Sequence, residues 1–136
     1  MCGIFGIVGK ADAELGERIA MCIRHRGPDD HGVWTSTTGT PVTLVNTRLA
    51  IIDLSPAGHQ PMTNEDESLW IVFNGEVYNF ASLRDELIRA GHKFNSKSDT
   101  ETVLHGYEEW GVNVVKRLHG MFAFAIWNEK TRTLFA

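Results

Sequence analysis

Apolar and polar positions along this chain fall into blocks whose period changes several times. The first block, CGIFGIVG, is apolar apart from its glycines, and it predicts a buried strand that other backbone approaches closely. In AELGERIAMCIRHRG the residues Leu15, Ile19, Cys22 and Ile23 recur at helical spacing, and Gly27-Pro28 ends the segment. Cys22 is therefore expected in the core. HGVWTS and PVTLVNTRLAII read as strands, and DLSPAGHQPMTNEDES, dense in turn formers, reads as a loop. LWIVFNGEVYN reads as two strand runs joined at Asn74-Gly75, a strong hairpin signal. FASLRDELIRAG predicts an amphipathic helix with Phe80, Leu83, Leu87 and Ile88 on one face and Gly91 at its end. SDTETVLHGYEEWG opens with Ser98 and Glu101 in capping-box spacing and continues with Val103, Leu104 and Tyr107 on one stripe. MFAFAIWNEKTRTLFA predicts a hairpin turning between Asn128 and Thr131. Strand pairs and helices are segregated, which predicts an α+β protein with antiparallel sheets.

Length and composition narrow the class. The 136 residues suit one domain, and 43% hydrophobic with 22% charged residues is ordinary globular composition. A net charge of −4 argues against a nucleic-acid surface. No apolar run approaches the ~20 residues of a membrane span. Cys2 and Cys22 lack the spacing of a disulfide scaffold or of a zinc site, so no metal is expected. The segment before the first apolar run carries no basic region of an export signal, and the expected compartment is the cytoplasm. The second strand of the last hairpin breaks off at TLFA. The expectation is a domain incomplete at its C-terminus, cut from a longer polypeptide.

The chemistry begins at Cys2. Removal of Met1 would leave Cys2 with a thiol and a free α-amine, which titrates near neutrality. One residue could then supply both nucleophile and base, with Gly3 leaving room for a substrate carbonyl. Taken alone, Cys2 reads rather as a small buried hydrophobe and Arg48 and Asp99 as surface charges, while Asn74-Gly75 reads as well as a plain turn. Arg24, His25 and Arg26 read as a basic helix end. His31, His59, His92, His105 and His119 have no catalytic partner that spacing reveals. Trp34, Trp70, Trp110 and Trp127 read as packing residues.

Six segments together change that balance. MCGIFGIVG and RHRGPDDHG resemble class II glutamine amidotransferases. RLAIIDLSPAGHQPM, FNGEVYN, KSDTETVLHGYEEWG and LHGMFAFAIWN narrow the resemblance to the glutaminase domain of glutamine-hydrolysing asparagine synthetases and close relatives. The resemblance implies an N-terminal-nucleophile fold, two antiparallel β-sheets sandwiched between helices, here C-terminally truncated. It implies that Cys2 attacks the side-chain amide of L-glutamine, releasing ammonia and leaving a thioester that water hydrolyses to glutamate. Arg48 matches the position that binds the glutamine α-carboxylate, in keeping with the guanidinium–carboxylate fork. Asp99 matches the partner of the α-ammonium group. Asn74 and Gly75 match the oxyanion hole, as a side-chain amide and a backbone N–H. Leu49, Ile51 and Ile52 match pocket-lining positions, and Glu76 a further glutamine contact.

The resemblance also implies a synthetase domain in cis beyond residue 136, where ATP and magnesium would act, and a possible homodimer of the full-length enzyme. This chain itself calls for no cofactor, nucleic acid or membrane. Asn46 and Thr47 precede Arg48 where many relatives carry a basic residue or histidine. Two alternatives stand beside asparagine synthesis: an amidotransferase with another ammonia acceptor, and a glutamine-binding module without turnover.

Overall fold

A computed structural model describes residues 2–36 and 38–136. Met1, on which the free α-amine of Cys2 depends, lies outside the described residues. The elements are β1 (Gly3–Val8), α1 (Ala13–Ile23), β2 (Asp30–Ser36), β3 (Val42–Arg48), β4 (Met62–Thr63), β5 (Leu69–Val77), α2 (Phe80–Ala90), α3 (Asp99–Trp110), β6 (Gly120–Asn128) and β7 (Thr133–Phe135). They build two antiparallel sheets, ordered β1-β3-β2 and β4-β5-β6-β7. Helix α1 packs on β2 and β3, and α3 packs on β5 and against α2. Four layers result, helix–sheet–sheet–helix.

The pattern of β3 explains the stacking. All seven of its residues are buried, because it is the middle strand of a sheet covered on both faces. Val42 and Leu44 join Val72 and Trp127 in a cluster between the sheets, with Ile4, Trp34 and Trp70 at its margin. The alternate residue Thr47 turns the other way, and its hydroxyl donates to the Ile23 carbonyl at the end of α1 at 3.2 Å. The larger core lies on the far face of the second sheet, where Ile71, Phe73, Leu83, Val103, Leu104 and Ile126 meet. Each such side chain contributes about 1.5–3 kcal/mol on burial.

Several sequence expectations shift. The strand CGIFGIVG is an edge strand, paired among the described residues only with β3, and among Gly3–Val8 only Gly3 is buried. Cys22 is exposed rather than in the core, since α1 buries the face bearing Gly16 and Ala20 instead. Ile88 is likewise exposed, and α2 buries Leu83 and Leu87 alone, ending at Gly91 with a left-handed φ of 107°. Ser98 caps α3, accepting from the Thr100 N–H. The reciprocal half of the capping box is absent, because the Glu101 carboxylate accepts from the N–H groups of Asn95 and Ser96, both at 2.7 Å. The final hairpin forms as expected, with the Asn128 side chain accepting from the Lys130 and Thr131 N–H groups.

The largest shift concerns Asn74-Gly75, which is no turn. Strand β5 runs unbroken through it, with Asn74 opposite Ala123 and Gly75 opposite Phe122 on β6. The glycine is required for another reason. Its φ is +154°, and a Cβ there would collide with the Met121 carbonyl oxygen and meet the Phe122 Cα at 2.5 Å.

Candidate active site

One cavity of about 150 Å³ opens where the ends of β1 and β3 meet the uncovered edge of β5 and the start of α3. Cys2, Arg48, Leu49, Ile51, Ile52, Gly75, Glu76 and Asp99 line it. Of the nine residues singled out from the sequence, only Asn74 does not. It follows Val72 by two along β5, so its side chain turns toward the space between the sheets, and its Oδ1 is buried without a hydrogen-bond partner.

Register fixes Cys2. Gly3 pairs with Thr47, which sets the preceding residue opposite Arg48, the last residue of β3, and beside Leu49. The Leu49 N–H donates to the Cys2 Sγ at 3.4 Å, and the sulfur is half-buried at the cavity rim. Beyond Arg48 the chain leaves the sheet, so Leu49–Ile52 is loop rather than strand. The Arg48 guanidinium, itself only 8% exposed, organises that loop by donating to the Asp53 carbonyl and, at 3.2 Å, to the Ser55 carbonyl. A guanidinium has five N–H groups, so donors remain for a carboxylate in the cavity.

The edge of β5 supplies the other wall. Strand β4 covers it only as far as Ile71. Beyond that, the N–H groups at alternate residues face away from β6. That of Phe73 donates to the Gln60 Oε1 at 2.6 Å, and that of Val77 donates to the Asp99 Oδ2 at 2.9 Å. The Gly75 N–H lies between them with the same orientation and has no ladder partner among the described residues, which leaves it a free donor on the cavity wall. Asp99 is 5% exposed. Burial pushes its carboxyl above the usual range and the nearby Glu76 adds to this, while the N–H groups of Val77 and Thr100 oppose it without prevailing. A carboxylate held in this way gains from a cation brought by a ligand.

Two residues that sequence reasoning passed over brace the site. Asp53 accepts from the N–H groups of Ser55 and Lys97 at 2.8 and 2.7 Å. Hydrogen bonds from the Ser55 side chain and the Lys97 backbone lower its carboxyl to about 2. Gln60, 4% exposed, takes the Phe73 N–H and the Asn46 amide on its Oε1 and donates to the Thr100 hydroxyl at 3.2 Å. It thus ties β3, β5 and α3 together. An aspartate two residues before Ser-Pro is a turn signal that could have flagged Asp53. Nothing local flags Gln60, whose partners are 13, 14 and 40 residues away. The described histidines lie elsewhere: none lines the cavity, and His31, His59, His92 and His105 each face a carboxylate.

The fold matches solved structures. A glutamine phosphoribosylpyrophosphate amidotransferase from B. subtilis, solved with ADP and GMP, superposes with a TM-score of 0.75 over 94% of this chain and 35% of that one, at 22% identity. A structure described as the allosteric regulatory enzyme of purine biosynthesis gives 0.73 over 93% of this chain and 35% of its own, at 20% identity. The layered architecture is thus the N-terminal-nucleophile amidotransferase fold. A family model of the glutamine amidotransferase domain matches residues 1–136, and the chain belongs to that family. It is 42% identical to glutamine-hydrolyzing asparagine synthetase 1 of Bacillus subtilis (strain 168), over 99% of this chain and 22% of the relative. A probable glutamine-hydrolyzing asparagine synthetase of Dictyostelium discoideum is 39% identical over 100% of this chain and 25% of the relative. Asparagine synthetase 2 of Oryza sativa subsp. japonica, also glutamine-hydrolyzing, is 39% identical over 100% and 23%. The chain spans about a quarter or less of the length of these relatives.

Proposed function

We propose that this chain hydrolyses the side-chain amide of L-glutamine to glutamate and ammonia through a thioester on Cys2, as the glutaminase part of an asparagine synthetase. The observation that carries this reading is a single cavity in which a cysteine thiol, a free backbone donor, a guanidinium and a buried carboxylate converge. Arg48 suits the α-carboxylate of a free amino acid and Asp99 its α-ammonium group. That pair favours an amino-acid substrate over other amides. The names of the relatives favour glutamine and, as acceptor of the ammonia, aspartate.

In this mechanism the Cys2 sulfur forms a bond to the amide carbon, and the carbonyl oxygen becomes an oxyanion. The Gly75 N–H stabilises it, together with the Asn74 side-chain amide once that group turns to the sulfur. With Met1 removed, the α-amine of Cys2 accepts the thiol proton and passes it to the departing nitrogen. The carbon–nitrogen bond breaks, ammonia leaves and the thioester remains. Water, deprotonated by the same amine, then cleaves the thioester and regenerates the thiol. No histidine lines the cavity among the described residues, and the amine is carried by the same residue as the thiol it would deprotonate. ATP and magnesium would act in a synthetase portion of a longer protein, not in this cavity.

The test is ammonia release from glutamine by the protein and its Cys2→Ala variant. Cys2→Ala should abolish release while glutamine binding stays measurable by calorimetry. Unchanged release would refute Cys2 as nucleophile, and binding without release by the unmodified protein would favour the module without turnover.

A further inference from the structure

A second constellation lies on α3, away from the glutamine cavity. His92 precedes the loop into that helix, and His105 and Glu108 stand one turn apart on it. Their donor atoms all lie within 4.8 Å of one another. Both imidazoles turn Nδ1 toward one carboxylate oxygen, the Glu108 Oε2, at 2.6 Å from His105 and 3.8 Å from His92. Each member is also held from behind. The far nitrogen of His92 contacts the Glu109 carboxylate at 3.1 Å, that of His105 lies 3.8 Å from Glu101, and the other oxygen of Glu108 accepts from the Asn64 amide at 2.8 Å. Carboxylates behind ligating imidazoles are what metal sites use to fix the ring and raise its basicity.

We infer that His92, His105 and Glu108 form a binding site for a borderline divalent cation such as zinc. Two imidazoles and one carboxylate make a zinc donor set that leaves a fourth position for water. Glu101, Glu108 and Glu109 surround the two rings with negative charge, which favours a cation. At metal–ligand distances of about 2.0–2.2 Å the ligand atoms of a tetrahedral site lie roughly 3.3–3.6 Å apart, so the His105–Glu108 pair at 2.6 Å must open and the widest pair, within 4.8 Å, must close. The partial exposure of His92 and Glu108 provides the way in, while His105 is buried. A bound cation would clamp the approach from His92 to Ser98 onto α3, the helix that begins with Asp99. Without the cation, the same carboxylates are satisfied by hydrogen bonds from the rings.

Zinc alone is the probe, added to metal-stripped protein carrying Cys2→Ala and Cys22→Ala so that no thiol competes. Competition with a chromophoric chelator should report one zinc per chain, and thermal denaturation should shift upward on binding. Glu109→Gln, which removes a supporting carboxylate, should weaken binding about 10- to 100-fold, and His92→Gln by at least as much. His31→Gln should leave it unchanged. Because His92 and Glu108 are partly exposed, His92→Gln and Glu108→Gln keep the test open if His105→Gln fails to fold. No stoichiometric binding at micromolar zinc, or binding indifferent to His92→Gln, would overturn the site and leave a proton-satisfied cluster. Neither readout depends on glutamine turnover.

Discussion

Replacing Asp99 by asparagine separates binding from stability. Asp99 is 5% exposed, and among the described residues its only hydrogen bond from another element comes from the Val77 N–H at 2.9 Å. Asparagine keeps an oxygen acceptor for that donor and removes only the charge. On the proposed reading, the glutamine α-ammonium group then loses a charge-assisted partner, which costs about 1.5–3 kcal/mol. That is roughly 10- to 150-fold in affinity, and near-complete burial places the expectation at the upper end, about 100-fold. Stability should move the other way. The folded carboxyl titrates above its ordinary value of 3.8, with burial as the main cause. A group shifted upward contributes stability below its unfolded pKa and loses that contribution as pH rises through the folded value. Above both, the folded protein carries the desolvation cost of an ionised carboxylate. The start of α3 offsets only about 0.3–1 kcal/mol of this through its dipole. Asp99→Asn should therefore melt higher than the unmodified protein at neutral pH, with the gap narrowing toward about pH 4. Calorimetry in a Cys2→Ala background, where glutamine is not consumed, reads the binding. Melting curves across that pH range read the stability. Unchanged glutamine affinity would remove Asp99 from the ammonium site, and a lower melting temperature with no pH dependence would refute the desolvation argument.

Arg48→Ala should weaken glutamine binding about 10- to 150-fold by the same arithmetic. It should also loosen the loop it organises, read as faster amide exchange around Ser55. Asn74→Ala should lower turnover by about 10²–10³ with a smaller change in KM; a change confined to KM would place Asn74 on the ground-state substrate instead. Gln60→Ala leaves the buried Phe73 N–H unpaired, and chemical denaturation should show a loss of about 1–3 kcal/mol. Gln60→Glu, which retains an acceptor for Phe73, should recover part of that loss, and equal losses in both variants would show that the Phe73 bond is not the source.

The sequence by itself determined the elements whose faces are set by short-range pattern. The β-branched run of β3, the Leu83–Leu87 stripe, the Ser98 cap and the Asn128 turn are written in neighbouring residues, and the structure has each of them. The candidate site was legible because its motifs lie intact in order along the chain, and eight of the nine residues do line one cavity. What needed the tertiary structure was every property set by distant partners. Asn-Gly is the same dipeptide in a hairpin turn and in β5. Only the nine-residue pairing with β6 holds it extended, and only the short reach of β4 leaves its N–H open to the cavity. Cys22 and Ile88 occupy plausible core positions on helical stripes, yet which side of a helix is buried depends on where the sheet beneath it lies. Gln60 and Asp53 gained their roles from contacts up to 40 and 44 residues away. Periodicity records a residue's neighbours within a turn or a strand, whereas hydrogen bonds of that span exist only once the layers have packed.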